Sequence, residues 1–265
     1  MESRGVKIGL RVWTIGLMIF IYAPLVVIVL SAFNASKIPS WPIQDYSTKW
    51  FKLAFHDPAA RDALQNSVVV ALQATAIALI LGTAASFALA RFKFFGQNTI
   101  SFILVLPIAL PGIVTGLALL SAITYAGITS SLKTVVIGHA TFCVVIIYNN
   151  VVARLRRSSR SLEEASMDLG ADGLRTFRHV MLPNMATALV AGGLLAFALS
   201  FDEIVVTLFT AGTQQTLPLW IYNQFRLPNK EPEVNAVAVF VILLTAIPVY
   251  FSQRLMRGET GLTTR

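Results

Sequence analysis

Residues 63–90 read ALQNSVVVALQATAIALILGTAASFALA, 28 consecutive residues without an Asp, Glu, Lys or Arg. About 20 apolar residues in a helix cross the hydrocarbon core of a bilayer, so this stretch is long enough to span a membrane. Five further uncharged runs of similar character occupy residues 12–36, 94–132, 134–153, 179–201 and 234–253. The pattern predicts an all-α polytopic membrane protein with six transmembrane helices.

The composition of the chain agrees with this class of protein. Of its 265 residues, 55% are hydrophobic and 13% are charged, whereas soluble domains carry about 25% charged residues. The net charge is +8, but the basic residues lie between apolar runs and do not cluster on a folded surface, which excludes a nucleic-acid binder. The single cysteine, Cys143, leaves no intrachain disulfide and no Cys-based zinc site.

The distribution of basic residues predicts the orientation of the chain in the membrane. We place the spans at about 12–33, 64–90, 99–124, 134–153, 185–211 and 234–253, within one transmembrane domain covering residues 1–265. With six spans both termini lie on one side, and that side carries 14 Lys and Arg against seven on the other. Basic residues that flank a span resist translocation. Both termini and the loop 154–183 are therefore predicted to be cytoplasmic, as in an inner-membrane protein.

Two prolines interrupt the third predicted span. Pro107 and Pro111 are four residues apart, and each removes a backbone donor and clashes with the preceding turn, so the helix should kink or partly unwind. Broken helices at membrane depth usually line a cavity because the freed carbonyl groups need partners. Both prolines are candidate pathway residues, and a kink that only improves packing is an equal alternative.

The loop between the fourth and fifth spans begins with a predicted short helix. Residues 161–170 read SLEEASMDLG. Ser161 with Glu164 three residues later predicts a capping box, in which each side chain satisfies a free amide at the start of a helix. Gly170 supplies the left-handed residue that often ends such a helix.

A second short helix is predicted over residues 171–183, ADGLRTFRHVMLP. Asp172 can cap this helix, and Pro183 suits the first turn of the fifth span. An apolar stripe on one face is expected from Leu174, Phe177 and Met181. Two capped helices with an apolar stripe predict a docking device, and a helical pair that rests on the inner membrane surface is the alternative.

The spacing within this loop resembles a known motif. Glu164-Ala165-Ser166, three residues, Gly170, nine residues and then Val180-Met181-Leu182-Pro183 are similar to the EAA loop of ABC importer permeases. The family pattern is Glu-Ala-Ala, three residues, Gly, nine residues, Ile, one residue, Leu-Pro. Ser166 replaces the second Ala and Val180 replaces Ile, and the spacing is fully kept.

The resemblance extends over nearly the whole chain, to the second membrane subunit of spermidine/putrescine importers. It is carried by Asn66-Ser67, Ala88-Leu89-Ala90-Arg91, 107–116, Ser200-Phe201-Asp202-Glu203 and Thr216-Leu217-Pro218-Leu219. It implies a type I ABC importer permease fold in a bacterial inner membrane. It also implies three partners: a cytoplasmic ATPase dimer that binds ATP and Mg²⁺, a homologous second permease, and a periplasmic solute-binding protein.

The same resemblance assigns the loop to ATPase coupling and implies no cofactor in this chain itself. The expected coupling residues are Glu164, Ala165, Gly170, Leu174, Phe177, Leu182 and Pro183.

Two acidic residues lie within the fifth predicted span. A carboxylate at the bilayer centre costs about 2.5 to 3.5 kcal/mol, so Asp202 and Glu203 should face a cavity or a partner. Adjacent residues on a helix point about 100 degrees apart, so one of the pair should matter more. The resemblance to polyamine permeases favours Asp202. Alternatively, the pair is hydrated near the outer interface or meets a basic residue of another subunit.

The fourth span carries weaker candidates. Tyr148 and Asn149 near its inner end either line the pathway or pack polar edges between helices. His139 is the only titratable base within a span, and a lone histidine there is expected to hydrogen-bond a neighbouring helix.

These observations predict a permease subunit of an ATP-driven importer that moves a polyamine or a related small organic cation by alternating access. The chain lacks a Gly-x-x-x-x-Gly-Lys-Ser/Thr phosphate loop, so it is not itself the ATPase. A self-sufficient secondary transporter, with Asp202, Glu203 and His139 as a proton relay, is the first alternative. A membrane-embedded enzyme is the second.

Overall fold

A computed structural model describes residues 4–38 and 41–243, and every regular element within those ranges is helical. The helices are α1 Arg4–Ala32, α2 Lys49–His56, α3 Pro58–Arg91, α4 Gln97–Ala109, α5 Gly112–Tyr125, α6 Leu132–Arg157, α7 Ser161–Asp168, α8 Gly173–Thr176, a π-helical turn Phe177–Met181, α9 Leu182–Asp202, α10 Val205–Thr210 and α11 Leu217–Phe225. Residues 231–243 are also helical.

The long apolar helices agree with a multi-pass membrane protein. Four helical segments of the described chain are long and apolar enough to cross a bilayer, namely α1, α3, α6 and the continuous stretch Gly173–Asp202. The bent pair α4 and α5 makes a fifth if it is counted as one span. The sixth predicted span, 234–253, lies largely outside the described residues, and only its beginning is seen as helix.

The predicted interruption of the third span is confirmed, and it is a sharp break. α4 and α5 are inclined by 108°. Leu110 and Pro111 between them have extended backbones, with ψ of 144° and 133°. Pro111 marks the break because its ring clashes with the turn that a continuous helix would need. Pro107 lies within the last turn of α4.

The fifth span was predicted as one helix over 185–211, and this is wrong. α9 ends at Asp202 and α10 begins at Val205, with Glu203 in an extended conformation (φ −74°, ψ 117°). The Glu203 carboxylate causes the restart, because its Oε1 accepts hydrogen bonds from the amides of Val205 at 2.8 Å and Val206 at 3.0 Å. A side chain that satisfies the free amides of a new helix stabilises a second beginning.

The described chain forms two compact units, one from Asp62 to Trp220 and the other from the residues on either side. In the unit Asp62–Trp220, α6 supplies much of the core, with Phe142, Cys143, Ile147 and Val151 all buried. Small residues let the neighbouring helices approach α6 closely. A Cβ on Gly82 of α3 would lie 2.8 Å from the Cβ of Ile147, which is the small-residue packing typical of membrane helices.

In the other unit, the end of α1 packs with α2 and with the helix 231–243. Their shared core contains Ala32, Trp50, Ala236 and Val239. The indole Nε1–H of Trp50 donates to the carbonyl oxygen of Asn34 at 2.7 Å. The rest of α1 is almost entirely exposed within the chain.

Candidate solute pathway and coupling loop

The breaks of the third and fifth spans lie side by side. A Cβ on Gly112, the first residue of α5, would lie 3.4 Å from Cγ1 of Val205, the first residue of α10. One turn further along, a Cβ on Gly116 would overlap the ring of Phe209. The two helices that follow the breaks therefore pack against each other, and their beginnings meet. Discontinuous helices of this kind form solute sites in many transporters.

The two acidic residues at the fifth-span break differ in their surroundings. Glu203 is half-buried, and its carboxylate is used to cap α10. Asp202 is exposed, and among the described residues its carboxylate has no hydrogen-bond or ion-pair partner. One carboxylate of the pair was expected to matter more, and the structure gives a physical reason for this difference. Asp202 has a free carboxylate, and that of Glu203 is committed to the fold.

The position of Asp202 along α9 also matters. The 21 residues from Leu182 to Asp202 rise by about 30 Å, which is close to the thickness of the hydrocarbon core. Asp202 therefore lies at the end of α9 that is remote from the loop 154–183.

His139 of α6 is fully buried and hydrogen-bonded on both sides of its ring. Its Nδ1 lies 2.8 Å from Oγ of Ser200, and its Nε2 lies 2.9 Å from Oγ1 of Thr207. The expectation that this histidine contacts a neighbouring helix is confirmed. Both partners are hydroxyl groups, so the ring does not contact the carboxylate of Asp202 or Glu203 as a direct relay would require.

The remaining pathway candidates divide into buried and exposed residues. Tyr148 is buried, and its hydroxyl lies 2.8 Å from Oγ of Ser101, which joins α6 to α4. Asn149 is exposed on α6. Pro107 is half-buried and Pro111 is exposed at the break. The structure thus leaves Asn149 and Pro111 accessible, and it gives Tyr148 a packing role.

Asn66 and Ser67, to which the sequence had assigned no role, hold a distant segment of the chain. The Asn66 side-chain amide donates to the Gln215 carbonyl at 2.9 Å, and the Leu217 amide donates to Oγ of Ser67 at 2.8 Å. These bonds hold the segment after α10 against α3, across about 150 residues of sequence. Both residues belong to motifs that carry the family resemblance, and that was the only signal for them.

The predicted helix, corner and second helix in the loop are confirmed. Gly170 has φ +84°, and the Ala171 amide donates to the Ser166 carbonyl at 3.1 Å, which closes α7. Asp172 caps α8 by accepting a hydrogen bond from the Arg175 amide at 2.7 Å. Pro183 lies in the first turn of α9.

The predicted capping box of Ser161 and Glu164 is wrong. α7 begins one residue earlier than that motif requires, with Arg160 at the cap position. The Arg160 carbonyl accepts from the amides of Glu163 and Glu164, so Ser161 is already inside the first turn. The Ser161 amide donates to Oγ of Ser159 instead, at 3.2 Å.

The three residues of the predicted apolar stripe do not share one environment, because one is exposed and two pack inward. The side chain of Leu174 is 75% exposed, whereas Phe177 packs edge-on against Phe87 of α3, with ring centroids 5.0 Å apart. Met181 packs on the buried cluster around α6. The backbone between Phe177 and Met181 forms a π-helical turn, and both of these residues pack inward.

The loop presents an exposed apolar group of its own. Met167, Leu169 and Leu174 flank the corner at Gly170 and are 50%, 90% and 75% exposed, and we call them the corner residues. Glu164 and Ala165 of the EAA-like motif are also exposed, and Leu182 is partly so. Exposed apolar groups with a polar rim are typical of protein interaction sites.

An ion pair that the sequence did not indicate ties the loop to the helical bundle. Arg91 at the end of α3 donates to Glu163 of α7, and the two side chains are only 14% and 17% exposed. Nε of Arg91 is buried and has no hydrogen-bond partner among the described residues. The carboxylate of Glu163 therefore compensates the largely buried positive charge of the Arg91 guanidinium.

We expect either Arg91→Glu or Glu163→Arg to disturb the loop strongly. Breaking a buried ion pair leaves an uncompensated charge and costs about 3 kcal/mol or more. Solute-stimulated ATP hydrolysis by the ATPase partner that the family resemblance implies should fall sharply in both single variants, and the charge-swapped double variant should regain most of it. Arg175→Ala is the control, because its pair with Asp172 is 3.8 Å long and exposed. If the double variant is no better than the single variants, the pair does not link the loop to α3.

We expect Gly170→Ala to weaken the corner through its backbone alone. A Cβ at Gly170 would meet no atom within 4 Å, but φ +84° is unfavourable for alanine and costs about 1 kcal/mol. The measurements are co-purification with the ATPase partner that the family resemblance implies, and its stimulated ATP hydrolysis. Gly173→Ala is the matched control, since it also has open space and its φ is not positive. Equal behaviour of the two variants would contradict the role of the left-handed corner.

Comparison with known proteins identifies relatives over most of the chain. Residues 74–258 match the family described as the binding-protein-dependent transport system inner membrane component. The putrescine transport system permease protein PotI of Escherichia coli K12 is 35% identical over 246 residues, covering 89% of this chain and 86% of the relative. The spermidine/putrescine transport system permease protein PotC of the same strain is 31% identical over 243 residues, covering 91% of each.

Solved structures of ABC transporters share the fold. A bacterial ABC transporter involved in the import of the acidic polysaccharide alginate matches with a TM-score of 0.73 and 19% identity, over 96% of this chain and 98% of that one. The MetNI methionine ABC transporter, in an inward-facing conformation, matches with a TM-score of 0.61 and 18% identity, over 80% and 98% of the two chains.

The relatives are named as permease proteins of transport systems, so this chain is a transport subunit and not itself an enzyme. The family match and the names of these relatives favour an importer permease over a self-sufficient secondary transporter. On this evidence the chain belongs to the family of binding-protein-dependent transport system inner membrane components.

Proposed function

We propose that this chain forms half of the translocation pathway of an ATP-driven importer for a polyamine, such as putrescine or spermidine, or for a related small organic cation. The names of the relatives PotI and PotC support this substrate class. A second observation carries the proposal independently of the relatives. The Asp202 carboxylate is unpaired within the described part of the chain, and it lies at the break of the fifth span, beside the point where α5 and α10 begin, which we call the junction.

The chemistry of the junction suits a protonated amine. Neither α9 nor α10 contains a Lys or Arg, so these helices offer the Asp202 carboxylate no permanent cation. A primary ammonium group offers three N–H donors and a positive charge, and both match an unpaired carboxylate. Because Asp202 lies towards the end of α9 remote from the coupling loop, it would meet the solute early. One carboxylate binds weakly enough to allow release inward.

We further propose the membrane topology. Six spans with both termini in the cytoplasm agree with the 14 basic residues on one side and seven on the other. The loop 154–183 is then cytoplasmic, and residues 1–265 form one importer transmembrane domain in a bacterial inner membrane. Asp202 lies towards the periplasmic side in this topology.

Membership of the family implies an ATPase and a solute-binding protein as partners in general. We propose that the corner residues and the EAA-like motif contact a cytoplasmic ATPase dimer, which binds the ATP and Mg²⁺. A homologous permease completes the pathway, and a periplasmic protein delivers the solute. The exposed apolar surface of α1 and much of α9 supports burial against lipid or another subunit.

The test of the function is reconstitution of the permease pair and its ATPase in vesicles with labelled putrescine. Uptake should require ATP and the solute-binding protein, and dissipation of a proton gradient should leave it unchanged. Uptake driven by the gradient without ATP would support the secondary transporter instead. Competition by unlabelled spermidine, thiamine and an amino acid would define the solute class.

We expect cysteine cross-linking to capture a different polypeptide. Single cysteines along α5 and α9, in a Cys143→Ser background, place reactive thiols on one helix of each broken span. The expected product is a heterodimer with the homologous permease, because one chain provides only half of a pathway lining. Exclusive self-cross-linking would show a homodimer.

A further inference from the structure

The imidazole of His139 bridges the break in the fifth span. Ser200, its partner at Nδ1, is in the last turn of α9, two residues before Asp202. Thr207, its partner at Nε2, is in α10 beyond the break. The extended residue Glu203 interrupts the helical backbone that would otherwise fix the two helices relative to each other. A side-chain bridge from a third helix supplies that missing restraint.

The hydrogen bonds define the orientation of the bridge. The Thr207 hydroxyl has one proton, and it donates that proton to the Glu203 carbonyl at 2.8 Å. In the tautomer that fits this bond, Nε2–H of His139 donates to Thr207, and Nδ1 accepts from the hydroxyl of Ser200. Every polar atom of the bridge is satisfied in this tautomer. A buried group with complete hydrogen bonding holds its partners rigidly.

α6 is a firm support for this bridge. A Cβ on Gly138 would lie 2.9 Å from Cγ1 of Val206, so α10 packs directly on the α6 backbone. One turn away, Sγ of Cys143 contacts the Ala196 carbonyl of α9 at 3.4 Å. α6 thus contacts both helices at the positions that flank the break.

We infer that His139 is a positioning residue that fixes the direction of the Asp202 carboxylate relative to α10. This inference rests on the proposed function, because Asp202 is the proposed solute ligand. When the bridge is lost, α9 and α10 can move independently, and Asp202 no longer presents its carboxylate at the junction consistently. ATP hydrolysis then continues with fewer solute molecules moved per cycle.

The measurement is the number of putrescine molecules transported per ATP hydrolysed in proteoliposomes containing the complete importer. A variant that only folds less well removes active complexes, so transport and solute-dependent hydrolysis fall together and their ratio stays constant. A positioning defect lowers the ratio itself. The ratio therefore separates the proposed role from a general loss of stability.

The bridge has two arms, the hydrogen bond to Ser200 and the hydrogen bond to Thr207. Replacing His139 by an amide side chain keeps one arm and removes the other. His139→Gln places an amide near the position of Nε2 and keeps the arm to Thr207, whereas His139→Asn keeps the arm to Ser200. Neither spans the break, so we expect both to lower the ratio about fivefold to tenfold. Ser200→Ala leaves the imidazole in place and removes one arm, and it should lower the ratio similarly. If the histidine variants do not assemble into a complex, the transport ratio of Ser200→Ala tests the inference.

Thr134→Val is the matched control. Oγ1 of Thr134 lies on the same helix, 2.7 Å from the Thr210 carbonyl of α10 and 2.7 Å from the Ser131 carbonyl at the start of α6. The contact with Thr210 also holds α10 on α6, but it does not reach α9. We expect Thr134→Val to lower the yield of complex and to leave the transport ratio at the wild-type value.

A double-variant comparison shows whether His139 acts through Asp202. Asp202→Asn alone should lower the ratio, and adding His139→Gln should lower it no further, because the two changes then remove the same interaction. A wild-type ratio in the histidine and serine variants, or a fully additive loss in the double variant, overturns the inference while Asp202 keeps its role. A wild-type ratio in Asp202→Asn removes Asp202 as the solute ligand, and the inference with it, while the importer function keeps the support of the relatives.

Discussion

Leu169→Asp and Leu174→Asp should each release the permease from its ATPase partner. Both side chains project from the corner at Gly170 and are 90% and 75% exposed, so a charge at either position does not disturb the permease itself. In a docked complex the new carboxylate would be buried against an apolar cleft without a partner. That burial costs about 3 kcal/mol, which weakens the association about a hundredfold. Co-purification and stimulated ATP hydrolysis are the measurements.

Two variants distinguish docking from folding in this experiment. Ile128→Asp introduces the same charge at a residue that is 52% exposed in the loop between α5 and α6, and it should leave ATPase binding unchanged. Phe177→Asp should instead lower the thermal stability of the permease, because Phe177 packs against Phe87 within the bundle. Normal ATPase binding by both leucine variants would contradict the docking assignment.

Asp202→Asn should reduce polyamine uptake about tenfold at a given solute concentration. The change keeps the shape of the side chain and removes the only charge that the fifth-span break leaves unpaired among the described residues. An interaction between an ammonium group and a hydrated carboxylate contributes about 1 to 2 kcal/mol, and 1.4 kcal/mol corresponds to a factor of ten. Initial uptake rates across a range of putrescine concentrations measure the effect.

Glu203→Gln is the matched control for this variant. Glutamine retains an amide oxygen that can accept from the Val205 and Val206 amides, so α10 keeps its cap and uptake should change little. Glu203→Ala removes the cap and should cost about 1 kcal/mol of stability. If Asp202→Asn transports with unchanged affinity and maximal rate, the carboxylate does not bind the solute. The cationic-substrate proposal would then rest on family resemblance alone.

The sequence by itself determined the features that depend on local chemistry. Uncharged runs long enough for a bilayer indicated the helices, because length and polarity are properties of the residues alone. Pro111 predicted the break in the third span, since a proline ring excludes a continuous helix wherever the chain later packs. Gly170 and Asp172 likewise predicted the corner and the second cap correctly.

Only the tertiary structure decided which side chains meet across the chain. Nothing local predicts that Ser200, Thr207 and His139 form one bridge. The pair of Arg91 with Glu163 joins residues 72 positions apart. A hydrogen bond or ion pair between distant segments depends on how the helices pack, and a pattern of residue types along one helix does not contain that information.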